Sequence, residues 1–159
     1  MKGKISKEVH VPVPASDLWA VYGTLELIRL IKKLLPEILR DFEVVVGDGG
    51  VGTVLKLTFP PDSPVTGYSE KFKKVDNDKR IKVTEVVEGG YLEVGFSLYR
   101  VTYEITEKGA HSSVIITIEY ELDDAFADNA SLVSIEPLEV IAKTIGKYLK
   151  EKKGDHANV

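Results

Sequence analysis

The sequence predicts an α+β domain in which a curved antiparallel sheet wraps a long C-terminal helix. Period-two alternation of apolar and polar residues recurs in seven segments, and the links between the later ones are too short to join anything but antiparallel neighbours. Helical spacing is confined to two short segments after the first strand and one long segment at the end, which segregates helix from sheet instead of interleaving them as βαβ units.

The first strand spans residues 5–13, with Val9, Val11 and Val13 on one face and Ser6, Glu8 and His10 on the other. Ser16 and Asp17 are placed to cap a helix carrying Leu18, Trp19 and Tyr22, and Gly23-Thr24 separates it from a second helix with Leu25, Ile28, Ile31 and Leu35. Pro36 ends the pair. Strands are then predicted at 42–46, 54–59, 67–75, 80–87, 91–105 and 112–122, punctuated by turn formers such as Asp76-Asn77-Asp78 and Lys108-Gly109-Ala110. Residues 131–152 read as one long helix with Leu138, Ile141, Ile145 and Leu149 inward and Lys143, Lys147, Lys150 and Glu151 toward water, and Pro137 either bends it or marks its proper start.

The 159 residues fit one domain, 1–159, which at this size buries roughly 70% of its unfolded surface. With 43% hydrophobic and 29% charged residues and a net charge of -4, the chain is neither disordered nor a basic nucleic-acid binder. It has no cysteine, so it needs no oxidising compartment and offers no thiolate to a metal. The N-terminal residues lack the apolar run of a signal peptide, and the greasiest stretch, Leu25 to Leu39, is interrupted by Arg29, Lys32, Lys33, Pro36 and Glu37. A cytoplasmic, soluble protein is expected, without nucleic-acid or membrane partners.

The run Gly47-Asp48-Gly49-Gly50-Val51-Gly52 has the spacing of a dinucleotide fingerprint, but such a loop must open a helix, and the following Val54 to Phe59 alternates as a strand. The glycines are therefore read as a strand-to-strand loop, and no nucleotide cofactor is expected. His10, His111 and His156 show no paired ligand spacing, and no metal site is expected.

Chemistry is suggested by Tyr68-Ser69-Glu70-Lys71-Phe72, where Tyr68 and Phe72 mark the buried face and period two puts Glu70 between them. Such a carboxylate is either a general base whose pKa burial has raised or one arm of a salt bridge at the mouth of the sheet. Lys82 is flanked by apolar Ile81 and Val83, so alternation alone turns it outward. On the next long strand Ser97, Tyr99, Val101 and Tyr103 share a face that mixes rings and hydroxyls as a pocket lining does, and the sheet-facing Leu138 and Ile141 of the last helix would complete it around a small aromatic or apolar ligand. A plain core with tyrosine hydroxyls at its edge would carry the same pattern.

The glycine run with Thr53, together with Val75-Asp76 and Val87-Glu88-Gly89-Gly90-Tyr91, resembles the plant pathogenesis-related class 10 family typified by the birch major pollen allergen. The resemblance spans nearly the whole chain and implies a helix-grip fold: seven strands, a V of two short helices, and a large internal cavity. Within that family, Gly67 to Phe72 followed by Val75-Asp76-Asn77 and Arg80-Ile81-Lys82 is most similar to the norcoclaurine and norbelladine synthase branch, plant enzymes that join a phenethylamine to an aromatic aldehyde without a cofactor. It implies Tyr68 as the family's tyrosine, Glu70 as its base and Lys82 as its catalytic lysine, and so turns Lys82 inward. Val101 stands where norcoclaurine synthases have an aspartate, which favours the other activity the family implies, a carrier or sensor of a hormone, flavonoid or alkaloid, whereas Tyr68, Glu70 and Lys82 favour the condensing enzyme, which is the expectation, as a monomer or weak dimer.

Overall fold

A computed structural model describes residues 1–157, in which seven strands form a single antiparallel sheet in the order β1-β7-β6-β5-β4-β3-β2. The strands are β1 (Lys2–Val11), β2 (Asp41–Val46), β3 (Val54–Thr58), β4 (Gly67–Asp76), β5 (Ile81–Gly89), β6 (Phe96–Lys108) and β7 (His111–Leu122). Two short helices, α1 (Ala15–Tyr22) and α2 (Glu26–Leu34), follow β1, and α3 (Glu136–Ala157) closes the chain against the concave face. The architecture is the predicted helix-grip, and its reason is visible in β1, β7 and α3. Val9, Val11, Val114, Ile116 and Ile118 turn to one side and are buried with Ile141, Ala142 and Ile145 of the helix. Gly146 lets the two backbones approach, since a Cβ there would lie 2.7 Å from Val11 Cγ1.

Several boundaries differ from the expected ones. Ser16 and Asp17 lie inside α1, whose N-cap is Pro14, with the amides of Asp17 and Leu18 donating to the Pro14 carbonyl. Thr24 joins α1 to α2, donating to the Ala20 carbonyl at 2.8 Å and accepting from the Glu26 amide at 3.2 Å. The strand expected from Tyr91 begins instead at Phe96, because Gly89, Gly90 and Gly95 take positive φ and turn Gly90–Glu93 into a 3₁₀ turn. The last helix does not run from Ser131: 3₁₀ turns occupy Asp124–Leu132, and α3 starts where Pro137 can occupy its first turn and Ser134 Oγ accepts the Glu136 amide. Its Lys143, Lys147 and Lys150 are exposed as expected.

The glycine loop leads from β2 into β3. Gly47, Gly49 and Gly52 have φ of 97°, 107° and 92°, and the amides of Gly49, Gly50 and Gly52 are taken by Thr53 Oγ1, Asp48 Oδ1 and the Phe72 carbonyl. Folding also brings together two residues that are remote in sequence: His10 and His111 meet with ring nitrogens 3.2 Å apart on the exposed end of β1 and β7. The side chain of His156 lies outside the described residues. Among the described residues no cluster of three metal-binding side chains occurs and no helix is long and apolar enough to cross a membrane.

Candidate active site

Between the concave face of the sheet, α2 and α3 lies a cavity of about 370 Å³. An engineered apolar cavity of about 150 Å³ accepts a benzene ring, so this one has room for two substituted rings side by side. The apolar walls come from Ile28 and Ile31 of α2, Leu55 and Leu57 of β3, and Leu138 and Ile141 of α3.

The polar residues come from adjacent rungs of the sheet. Along β4, Tyr68, Glu70 and Phe72 all line the cavity, as alternation predicts. The pairing of β4 with β5 shifts at Lys73, one extra residue on β4, after which Val75 faces Lys82, while Phe72 faces Thr84. Lys82, two residues from the inward Thr84 on β5, is on the inner face with only 3% of its surface exposed, which corrects the outward orientation that alternation suggests. The cause is that β5 wears its amphipathicity inside out. Lys82, Thr84 and Val86 point in, whereas Ile81 and Val83 are half-buried on the outer face, where Val83 sits between Lys74 and Thr102 in the register. Glu85 beside it is flanked by Lys73 at 3.5 Å and Arg100 at 3.7 Å, and long charged side chains of this kind cover apolar surface with their stems.

Glu70 and Lys82 start from different rungs and reach toward the one between them. Lys82 Nζ stands 4.1 Å from the centroid of the Phe72 ring, and the Thr84 hydroxyl shares the cavity wall with Glu70. Among the described residues, no carboxylate oxygen lies within 4.0 Å of Lys82, so acid and base share the cavity without closing into a direct ion pair. Part of the Glu70 surface is accessible, and it forms cavity wall. Burial raises its pKa above the ordinary value, and the Lys82 ammonium and Thr84 hydroxyl pull it back only in part. Burial lowers Lys82 from 10.5 to about 8, opposed by the Glu70 charge.

Tyr68, Tyr99 and Tyr103 line the same space, each phenol pushed well above its ordinary pKa by burial first, with the Glu70 charge next for Tyr68 and Tyr103. All three are neutral hydroxyls at physiological pH. Two of the expected lining residues are not there. Val101 is buried on the same face, paired with Thr84 and Ile118, but its short side chain does not reach the cavity past the tyrosines on either side. Ser97 is exposed, because the pairing of β6 with β7 shifts between Phe96 and Leu98 and puts Phe96 inward in its place.

Sequence reasoning also missed Thr84 and Tyr91. Thr84 was legible as the i+2 neighbour of Lys82 once Lys82 is turned inward. Tyr91 stacks on Tyr99 with centroids 4.0 Å apart and an interplanar angle of 5°, and lies 6.0 Å from Tyr68. It is thrown over the sheet by Gly89 and Gly90 in the left-handed region, φ 77° and 54°, where a Cβ on Gly90 would meet Tyr68 Cβ at 2.9 Å.

Two buried charges carry a cost in stability. The raised pKa of Glu70 means that the folded state holds its proton more tightly than the unfolded chain does, a stabilisation present at low pH and lost as pH rises through the raised pKa. For Lys82 the folded state holds its proton less tightly, so folding is penalised below about pH 8 and relieved only as pH rises past the ordinary 10.5. Near pH 7 both groups therefore oppose folding. The double variant Glu70→Gln/Lys82→Met is expected to be more stable than the natural chain by about 1–4 kcal/mol, read as a Tm increase of roughly 2–4 °C per kcal/mol at pH 7. A Tm at or below that of the natural chain would mean that mutual attraction outweighs desolvation.

Comparison with known proteins follows the same lines. The model of the "Pathogenesis-related protein Bet v 1 family" matches residues 1–152. The chain is 45% identical over 157 residues to norbelladine synthase of Narcissus pseudonarcissus, covering 98% of this chain and 96% of that protein. It is 38% identical over 156 residues to S-norcoclaurine synthase 2 of Papaver somniferum, covering 96% of this chain and 68% of that protein. Among solved structures, norcoclaurine synthase from Thalictrum flavum in complex with dopamine and hydroxybenzaldehyde superposes with a TM-score of 0.86 at 34% identity, over 95% of this chain and 88% of that one.

Proposed function

The chain belongs to the pathogenesis-related protein Bet v 1 family, and from that premise we propose that it condenses a phenethylamine with an aromatic aldehyde inside its cavity, as a step in plant alkaloid biosynthesis. The observation that carries this reading is the pair Glu70 and Lys82, a carboxyl of raised pKa and an ammonium of lowered pKa that reach one enclosed space without neutralising each other in contact. The similarity to norbelladine and norcoclaurine synthases supports it, and dopamine and hydroxybenzaldehyde, held by one such relative, are a phenethylamine and an aromatic aldehyde.

In the proposed reaction the amine nitrogen adds to the aldehyde carbon, and the carbinolamine loses water to give an iminium. Where the amine carries an electron-rich ring, that ring closes onto the iminium carbon and then loses a proton. Lys82 is assigned the role of cation and proton donor at the carbonyl oxygen, Glu70 that of base for the ring proton, and Tyr68 that of orienting a phenolic ring. Tyr99, Tyr103, Phe72, Leu138 and Ile141 are assigned to the substrates' apolar surfaces. No electrons enter or leave, so acid, base and confinement suffice for the chemistry. Each positioned acid or base contributes about 10²- to 10⁴-fold, and holding two reactants in one cavity adds a further entropic gain.

The domain that does this is proposed to be the whole of residues 1–159, acting as a cytoplasmic monomer or weak dimer. The deciding experiment is a mass-spectrometric screen of amine and aldehyde pairs for a condensed product. Before that, an apolar fluorescent dye is expected to bind saturably and to be displaced by phenolic amines or aromatic aldehydes. Displacement without any turnover across the screen would assign the chain to the carrier or sensor class. No saturable binding at all would mean that the cavity does not admit ligands.

A further inference from the structure

The wall of the cavity beside Lys82 carries the hydroxyl of Tyr103. Tyr103 on β6 is the direct cross-strand partner of Lys82 on β5, and both line the cavity. Directly opposed residues on one face of a sheet have Cβ atoms about 4.5–5.5 Å apart, so the Tyr103 ring and the Lys82 chain rise side by side. Behind Tyr103 stands Tyr22 of α1, with no exposed surface and a ring centroid 5.3 Å from that of Tyr103 at 58°. The Tyr22 hydroxyl is buried and has no hydrogen-bond partner among the described residues. Tyr22 lies outside the cavity lining and packs against the back of the Tyr103 ring.

We propose that Tyr103, backed by Tyr22, is the hydroxyl donor that receives the oxygen expelled as water when the carbinolamine collapses to the iminium. The inference rests on the condensation reading and adds a catalytic role for Tyr103. In the step, the carbinolamine C–O bond breaks, the departing oxygen takes a proton from the Lys82 ammonium, and the nitrogen lone pair becomes the second bond of C=N. The products are iminium, water and neutral Lys82, which regains its proton from solvent. The expelled water then has two polar partners on this wall of the cavity, Lys82 Nζ and Tyr103 Oη.

Three observations favour this wall of the cavity for the leaving oxygen. Lys82, the proton donor, is next to Tyr103 in the register, whereas Tyr99 lies four residues earlier on β6, roughly 13 Å along the strand. Val101 between them supplies no polar atom to the cavity. Burial, then the charge of Glu70, then Tyr22 hold the Tyr103 phenol protonated, which makes it a hydrogen-bond donor that does not compete with Lys82 for the proton.

The test compares condensation of an amine and aldehyde with hydrolysis of the matching preformed imine, the reverse of the water-loss step, in the full chain. Tyr103→Phe is expected to lower kcat for both by the same factor, about 10- to 100-fold, with KM within twofold and with dye affinity and Tm unchanged. A Tyr103→Phe variant at full rate in both directions, or one with raised KM and unchanged kcat, would overturn the role of Tyr103 while leaving condensation in place. Absence of condensed product from the natural chain would overturn this inference together with the reading it rests on.

Discussion

Glu70→Gln is expected to cut ring closure by about 10²- to 10⁴-fold while leaving dye and ligand affinity nearly unchanged, because the amide keeps the shape of the carboxyl but cannot accept the proton. The pH profile is the sharper reading. Glu70 must be ionised to act as a base, and burial has raised its pKa, so the natural chain should lose activity as pH falls through that raised value. In Glu70→Gln this acid limb should be missing from the residual rate. Retention of full turnover, or an acid limb unchanged in the variant, would remove Glu70 from the mechanism.

Lys82→Met is expected to have an effect of similar size on formation of the iminium, since it removes the proposed proton donor for the departing oxygen and the proposed cation beside the carbonyl. The sign of its pH limb is opposite. Lys82 must be an ammonium, and its pKa is lowered to about 8, so the natural chain should lose this contribution as pH rises through 8. The free-base fraction of the amine substrate rises over the same range, so the limb is best seen as the ratio of natural to variant rates against pH. That ratio should fall above pH 8. Met is close to Lys in length and suits the apolar contact with Phe72, so loss of activity should not come with loss of fold. A second consequence separates the pair from an isolated lysine: with the ammonium gone, the Glu70 carboxyl loses the strongest influence holding its pKa down, and the remaining acid limb should move to higher pH. Full turnover in both single variants would leave catalysis to confinement alone.

Substituting Val101→Asp is not expected to restore a carboxylate to the cavity in full, since the position is buried between two tyrosines and short of the lining. The structure thus bears on the position where the resemblance would put an aspartate. Tyr103 already offers a hydroxyl beside Lys82, where Val101 offers none.

Much of the fold was legible because alternation and helical spacing are local. Valines at every second position of β1, the Tyr68, Glu70 and Phe72 face of β4, and the apolar stripe of α3 each declare a strand or helix without reference to the rest of the chain. The glycine loop was legible for the same reason, since the alternation of Val54 to Phe59 excludes the helix that a phosphate-binding loop would need. Composition and the absence of cysteine bounded the class of protein, and the position of Glu70 nominated a buried carboxylate.

What alternation does not determine is which of a strand's two faces is the inner one. In β5 the apolar neighbours of Lys82 pointed to the wrong face, because the interior here is a polar-lined cavity and the exterior of that strand carries the apolar side chains among charged stems. Bulges add a second source of error. One extra residue reverses the parity of everything beyond it, and nothing in the local sequence marks the shift that sets Lys82 opposite Val75 or the one that turns Ser97 outward. The sequence by itself thus determined the elements, their order and the presence of a carboxylate facing inward. Only the tertiary structure decided that Lys82, Thr84, Tyr91 and Tyr103 converge on it, that Val101 does not, and that His10 meets His111, because convergence depends on register and sheet curvature summed over strands far apart in the chain.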